Sequence, residues 1–168
     1  YLKKGFLKEQ DKEEQQQKKP LNIFSCPLLK TSKNLYLVKM FIHFSDTHLG
    51  YADFNKIDSK TGLNQREIDI YNAFKQVIDY ILKTKPEFVI HAGDLFDVSR
   101  PPNRTISFAL SQIKRLSQAK IPLVLISGNH STPRMSTSGS IFASFKVFPN
   151  VYSVYQGRYE QIKIGNFK

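Results

Sequence analysis

The sequence predicts an α/β domain in which a mainly parallel sheet packs against helices. From residue 40 onward, short apolar runs alternate with two long segments of helical periodicity, and the first three runs end in polar turns. Such alternation requires a crossover between successive strands, which favours parallel pairing with right-handed connections. Apolar residues make up 40% and aromatic residues 12% of the 168 residues. That content is enough for a hydrophobic core and excludes wholesale disorder.

The elements follow one another in a regular order. Residues 40–45 (MFIHFS) are short, apolar and aromatic, which is typical of a strand. Residues 65–83 repeat apolar side chains every three or four positions before Pro86, which indicates a helix with a stop signal. By the same criteria, the remaining predicted elements are strands at 88–91 and 122–127, a helix at 103–118, a short helix at 141–148 and strands at 151–155 and 159–164. Phe41, Phe44, Phe88 and Phe96 are expected in the core.

Residues 1–39 differ in composition from the rest. They hold nine lysines and four acidic residues without sustained periodicity, and Met40 stands directly before the first predicted strand. We expect residues 1–39 to be a disordered or non-native extension, with a basic tail that binds a partner as the alternative. The predicted domain is residues 40–168.

Composition excludes two classes of protein. The single cysteine, Cys26, cannot form an intrachain disulfide, which excludes a disulfide-stapled secreted scaffold. No apolar run approaches the roughly 18 residues of a membrane span, so we expect a soluble protein. A cytoplasmic location is predicted. Lysine and arginine exceed acidic residues by 25 to 14, a net charge of +11. This charge favours a nucleic-acid partner, although a lysine-rich genome composition would produce the same excess.

Polar side chains of metal-ligand type follow each of the first three predicted strands. The carboxyl ends of parallel strands meet at one edge of a sheet, so we expect these side chains to converge there. Carboxylate, imidazole and amide oxygen suit Mn, Fe or Zn, and a carboxylate shared by two ions is typical of two-metal hydrolases. Each acid alone is also a common turn or cap residue. The candidates are Asp46 and His48, Asp94 and Asp97, and Asn129 and His130, whereas His43 and His91 lie within strands and are expected to be packed and hydrogen-bonded.

The segments FSDTHLG, HAGDLFD and SGNH resemble the first three motifs of the calcineurin-like metallophosphoesterases. More narrowly, DTHLGY, HAGDLFD followed by SRPP, and ISGNHSTPR resemble the DNA-repair exonuclease subunit of the SbcD type. The resemblance covers Met40 to about Glu160. It implies a partial four-layer αββα sandwich, of which residues 40–168 would supply the N-terminal half.

The resemblance also implies roles for the candidate residues. Two divalent ions are implied, with Mn expected and Fe, Zn or Mg as alternatives. Asp46 and His48 would bind one ion, Asp94 would bridge both, and Asn129 would bind the second. His130 would be the catalytic residue, as proton donor or transition-state stabiliser beside the scissile phosphate.

Four further residues are expected around the metal ligands or the phosphate. Ser131 occupies the position at which the family commonly has an aspartate that orients the histidine, and Asp97 occupies a position at which some nucleases have histidine. Arg100 and Arg134 are expected near the phosphates, although solvated arginines are the alternative.

The function implied is two-metal phosphodiester hydrolysis at DNA ends, with DNA, an SbcC-type ATPase and a second copy of the chain as partners. Alternatives are hydrolysis of nucleotides or small phosphodiesters, or an inactive fragment. The family completes its site with a late G-H-x-H motif, whereas the four histidines here are all at or before His130. The sequence therefore predicts a catalytic domain that is cut short.

Overall fold

The computed structural model describes residues 40–130 and 139–167. The strands are β1 (Phe41–Phe44), β2 (Phe88–His91), β3 (Leu123–Ile126) and β4 (Val151–Val154), and the helices are α1 (Gln65–Thr84), α2 (Asn103–Gln118) and a 3-10 helix (Ile141–Val147). The predicted extension at residues 1–39, Ser131 and Arg134 lie outside the described residues.

The four strands form one parallel sheet in the order β1-β2-β3-β4. Each successive strand is added beside the previous one, with α1, α2 and the 3-10 helix as the connections. The predicted α/β fold with a parallel sheet is confirmed. None of the described helices is long and apolar enough to cross a bilayer.

The core lies on one face of the sheet. Val89, Leu123 and Val151 form one buried row across neighbouring strands, and His91, Leu125 and Ser153 form the next. Buried side chains of α1, α2 and the 3-10 helix complete the core, among them Phe74, Ile78, Ile81, Ile113, Leu116, Phe142 and Phe145. Most of the stabilising apolar burial is therefore on the helix-covered face.

The other face is only partly covered, which corrects three predictions. Phe41 is 53% exposed and is not the core residue that we expected, and His43 is exposed, whereas we expected it to be packed. Residues 159–164 do not form a strand; an isolated bridge pairs Ile164 with Phe167, and this segment lies over a groove of about 450 Å³ lined by apolar strand residues. The short apolar runs identified the four strands of the sheet correctly, but they do not show which face of the sheet the helices cover.

Candidate functional site

The loops that follow β1 and β2 are held together by backbone hydrogen bonds beyond the strand ends. The amide of Asp46 donates to Gly93 O at 3.0 Å, and the amide of His48 donates to Asp94 O at 3.0 Å. Leu49 N then donates to Leu95 O at 2.9 Å. The first two polar motifs therefore lie on the same edge of the sheet, as the parallel topology predicts.

Three of the candidate ligands have an unusual backbone conformation. The φ angles are 56° at Asp46, 42° at His48 and 50° at Asp94, all in the left-handed region. Such a conformation costs roughly 1–3 kcal/mol per residue and persists only where surrounding structure stabilises it. The hydrogen bonds between the two loops provide that stabilisation, and they orient these three side chains.

Asp46, His48 and Asp94 form a compact polar cluster. Each offers one ligand-type atom, and the three atoms lie within 4.8 Å of one another. Asp94 is buried, whereas Asp46 is exposed. The Asp46 carboxylate accepts a hydrogen bond from the Ser45 hydroxyl. Two carboxylates with one imidazole suit Mn²⁺, Fe²⁺ or Zn²⁺, so the residues present fit a divalent ion.

The turn after β3 is fixed against Asp94. The amide of His130 donates to Asp94 Oδ1 at 3.0 Å. A Cβ atom at Gly128 would lie 2.0 Å from the same oxygen, so only glycine allows this close approach. Asn129, which lies between Gly128 and His130 in the sequence, has an exposed side chain. The third polar motif thereby joins the first two at the same edge.

Asp97 contacts both neighbouring histidines. Its Oδ1 lies 3.2 Å from His48 Nδ1, and its backbone carbonyl lies 2.7 Å from His130 Nδ1. A carbonyl only accepts, so His130 Nδ1 carries the proton and its Nε2 keeps the lone pair. The two imidazole rings are perpendicular, with centroids 5.0 Å apart. Asp97 is thus positioned to set the orientation of both rings.

His91 lies beneath the β1 loop and is packed, as expected from its place in a strand. Its Nε2 is 3.0 Å from Thr47 Oγ1, while the Thr47 hydroxyl is 3.3 Å from Leu95 O. Because the Thr47 hydroxyl donates to that carbonyl, His91 Nε2 carries the proton and donates to Thr47. The buried Nδ1 of His91 has no hydrogen-bond partner. Burial lowers the pKa of His91 from 6.5 to about 4. His91 is therefore neutral at physiological pH.

A second polar network, which the sequence analysis missed, supports the site from below. The buried Glu67 carboxylate accepts from Arg104 Nε at 2.8 Å, from Arg104 Nη2 at 3.0 Å and from Tyr71 Oη at 2.7 Å. Tyr71 also contacts Thr105 Oγ1 at 2.8 Å. A Cβ at Gly50 would lie 3.0 Å from that hydroxyl oxygen, so the network lies directly under the β1 loop.

The Glu67 network joins α1 to α2, and it shifts the pKa values of both Glu67 and Tyr71. Although burial of Glu67 opposes ionisation, hydrogen bonds from Arg104 and Tyr71 lower its pKa below 4.5. Burial and the Glu67 hydrogen bond raise the pKa of Tyr71 to about 12. The sequence signal was an acidic residue in register with the apolar stripe Tyr71, Phe74, Ile78 and Ile81.

Arg100 lies beside a separate groove of about 370 Å³ with Ser99, Ser140 and Ser144. Among the described residues that line this groove, none is a candidate metal ligand. The structure therefore brings Asp46, His48, Asp94, Asp97 and His130 into one group, while Arg100 lines a neighbouring groove.

Comparison with known proteins identifies several relatives named DNA double-strand break repair protein Mre11. The protein of Methanococcus maripaludis is 41% identical over 106 residues, which are 63% of this chain and 27% of that relative. The protein of Methanocaldococcus jannaschii is 38% identical over 112 residues, 67% of this chain and 29% of the relative. The protein of Sulfolobus acidocaldarius is 43% identical over 93 residues, 55% of this chain and 22% of the relative.

The matched regions thus span about a quarter of the length of these relatives. The family described as calcineurin-like phosphoesterase matches residues 39–167, which contain the whole described sheet and all the clustered side chains. This match confirms the resemblance shown by the three strand-end motifs. The chain belongs to the calcineurin-like phosphoesterase family.

Proposed function

We propose that the protein from which this chain comes hydrolyses phosphodiester bonds at DNA ends with two divalent ions, as an SbcD-type repair exonuclease. The observation that carries the proposal is the cluster of Asp46, His48 and Asp94 at the carboxyl edge of the parallel sheet. The relatives named for double-strand break repair support DNA as the substrate.

In this proposal Asp46 and His48 hold one ion, Asp94 bridges and Asn129 contributes to the second. Divalent ions there supply Lewis-acid stabilisation of charge on the phosphate oxygens. Manganese is the ion we propose, since two carboxylates and one imidazole suit it and no thiolate is present in the cluster.

His130 is the proposed catalytic residue. Its amide is held by Asp94 and its Nδ1–H by the Asp97 carbonyl, which leaves Nε2 as the free nitrogen. Once protonated, Nε2 can donate to an oxygen of the phosphate or of the leaving group. Asp97 takes the orienting role that an aspartate after the histidine commonly has in the family, where this chain has Ser131.

We propose that residues 40–168 form the first part of a larger catalytic domain. The matched regions are 22–29% of the relatives' length, and apolar side chains such as Phe41 and Tyr152 are exposed on one face of the sheet. An SbcC-type ATPase, a second copy of the chain and a cytoplasmic location belong to the same proposal, supported by the resemblance to SbcD-type subunits.

The test compares two variants of the full-length parent. Replacing His130 with Gln should lower exonuclease turnover while DNA affinity stays nearly unchanged, because the role of His130 is confined to the transition state. Arg100→Gln should weaken binding equally for all DNA sequences and reduce the salt dependence by about one phosphate contact. Arg158→Gln, which removes the same charge beside the far apolar groove, is the control.

Fast hydrolysis of a small phosphodiester without salt-dependent DNA binding would reject the nuclease and favour a small-substrate phosphoesterase. Hydrolysis by the parent protein but not by the 168-residue chain alone, with Mn²⁺ present, would support the inactive-fragment alternative for this chain.

A further inference from the structure

A second group of metal-binding side chains adjoins the first. His48, Asp97 and His130 each offer one ligand-type atom, and these atoms lie within 4.8 Å of one another. We propose that they form a distinct cation site that prefers Zn²⁺, shares His48 with the Asp46–His48–Asp94 cluster and therefore inhibits the enzyme when occupied. The inhibitory part of this proposal rests on the proposed function; the zinc site itself does not.

The spacing of the first two ligands already suits zinc. Nitrogen and oxygen ligands about 2.0–2.1 Å from a tetrahedral zinc ion are roughly 3.3 Å apart. His48 Nδ1 and Asp97 Oδ1 are 3.2 Å apart, whereas a charge-assisted hydrogen bond is typically shorter, at about 2.7–2.9 Å. A zinc ion can therefore bind between these two atoms with little change in their separation.

The third ligand is prepared by the backbone. Histidines that bind metals usually donate their other ring N–H to a carbonyl or carboxylate, which fixes the tautomer and the ring orientation. His130 Nδ1 makes such a bond to the Asp97 carbonyl at 2.7 Å, which leaves the Nε2 lone pair available. Its ring is perpendicular to that of His48, with the centroids 5.0 Å apart.

The donor chemistry distinguishes the two sites. Two imidazoles with one carboxylate and an open position are the ligand set of many zinc centres. The neighbouring cluster accepts several divalent ions, but its two carboxylates and one imidazole are a harder set, in which the preference for Zn²⁺ over Mn²⁺ is smaller. Affinity for nitrogen ligands also rises from Mn²⁺ to Zn²⁺.

The two sites are mutually exclusive because both need His48. A neutral imidazole has one lone pair. With the proton on Nδ1, which faces Asp97, the Nε2 lone pair is free for the Asp46–His48–Asp94 cluster. When zinc binds Nδ1, the proton moves to Nε2 and that lone pair is lost. Zinc would also engage His130, the proposed catalytic residue.

The test measures metal binding by the 168-residue chain, independently of activity. Zn²⁺ binding is followed by calorimetry and Mn²⁺ binding by electron paramagnetic resonance of the free ion. We expect Zn²⁺ to displace Mn²⁺ one for one. Asp97→Asn and His130→Gln should each weaken Zn²⁺ binding at least about tenfold and leave Mn²⁺ binding intact. Asp97→Asn keeps the shape of the side chain and an oxygen beside His48 Nδ1 while removing the negative charge.

Two controls complete the design. Asp46→Asn should weaken Mn²⁺ binding but not Zn²⁺ binding, and His43→Gln, on the exposed face of the sheet, should change neither. Far-ultraviolet circular dichroism checks folding, and the two ligand variants keep the test valid if one does not fold.

Unchanged Zn²⁺ affinity in both ligand variants, or simultaneous binding of Zn²⁺ and Mn²⁺ without displacement, would overturn the zinc site. If Asp46→Asn left Mn²⁺ binding unchanged while the zinc pattern held, the proposed manganese site would fail and the zinc site would stand.

Discussion

Gly128 is the position at which one methyl group should damage the site most. A Cβ there would lie 2.0 Å from Asp94 Oδ1, 2.5 Å from Asp94 Cγ and 2.5 Å from Asp94 N. The last contact is with backbone, so rotation of the Asp94 side chain cannot relieve it. The Gly128→Ala variant must separate the loops that follow β2 and β3.

The expected loss in the free energy of unfolding of Gly128→Ala has two contributions. Forcing an extra methyl group into a packed site costs roughly 1–3 kcal/mol. Movement of the Asp94 carboxylate also breaks its hydrogen bond with the His130 amide, which is worth about 1.5–3 kcal/mol because the acceptor is charged. We therefore expect the free energy of unfolding to fall by about 3–5 kcal/mol, a large fraction of the stability of a domain.

Urea unfolding of the 168-residue chain measures the change, and Mn²⁺ titration should show weaker binding. Gly157→Ala is the control: this glycine has φ of 65° and no atom within 4 Å of an added Cβ. The control should lose about 1–2 kcal/mol from backbone strain alone and keep its metal affinity. If Gly128→Ala were no more destabilised than the control and bound Mn²⁺ normally, the close approach of Asp94 and Gly128 would be refuted.

Two further predictions concern the polar groups that support the site. Arg104→Gln leaves the buried Glu67 carboxylate without its bidentate partner, and urea unfolding at neutral pH should show a loss of about 2–3 kcal/mol. This loss is smaller than that for a fully buried ion pair because the Arg104 side chain is half exposed. Because the pKa of Glu67 is lowered, the pair with Arg104 stabilises the fold above pH 4.5, and the difference in unfolding free energy between wild type and variant should shrink as pH falls below that value. The control Lys75→Gln removes one partner of an exposed ion pair and should cost under about 0.5 kcal/mol. Equal losses of stability in the two variants would contradict the role of Glu67. The lowered pKa of His91 means that the unfolded chain binds a proton which the folded chain excludes, so stability should fall by about 3 kcal/mol as pH decreases from 6.5 to about 4. Unfolding of His91→Leu across this range should lack that slope, and an identical slope in the variant would assign it to other groups.

The sequence determined the helices, the four strands of the sheet and their order because each of these elements has a local signal, whereas the strand predicted at 159–164 did not form. The periodic stripe of α1 and its stop at Pro86 predicted a helix over 65–83, and the structure has Gln65–Thr84. The predicted second helix, 103–118, coincides with Asn103–Gln118. Polar residues at the ends of three successive strands were enough to predict a shared edge, because parallel pairing alone dictates where those ends meet.

Only the tertiary structure decided which residues support the site and which face is covered. Glu67 joins Arg104 across 37 positions of sequence, and Asp97 reaches His130 across 33. No local pattern encodes such pairs, since they depend on how α1, α2 and the strand loops pack. The exposure of Phe41 and His43 was likewise undetermined, because an alternating strand has two faces and the path of the connecting helices selects the one that is buried.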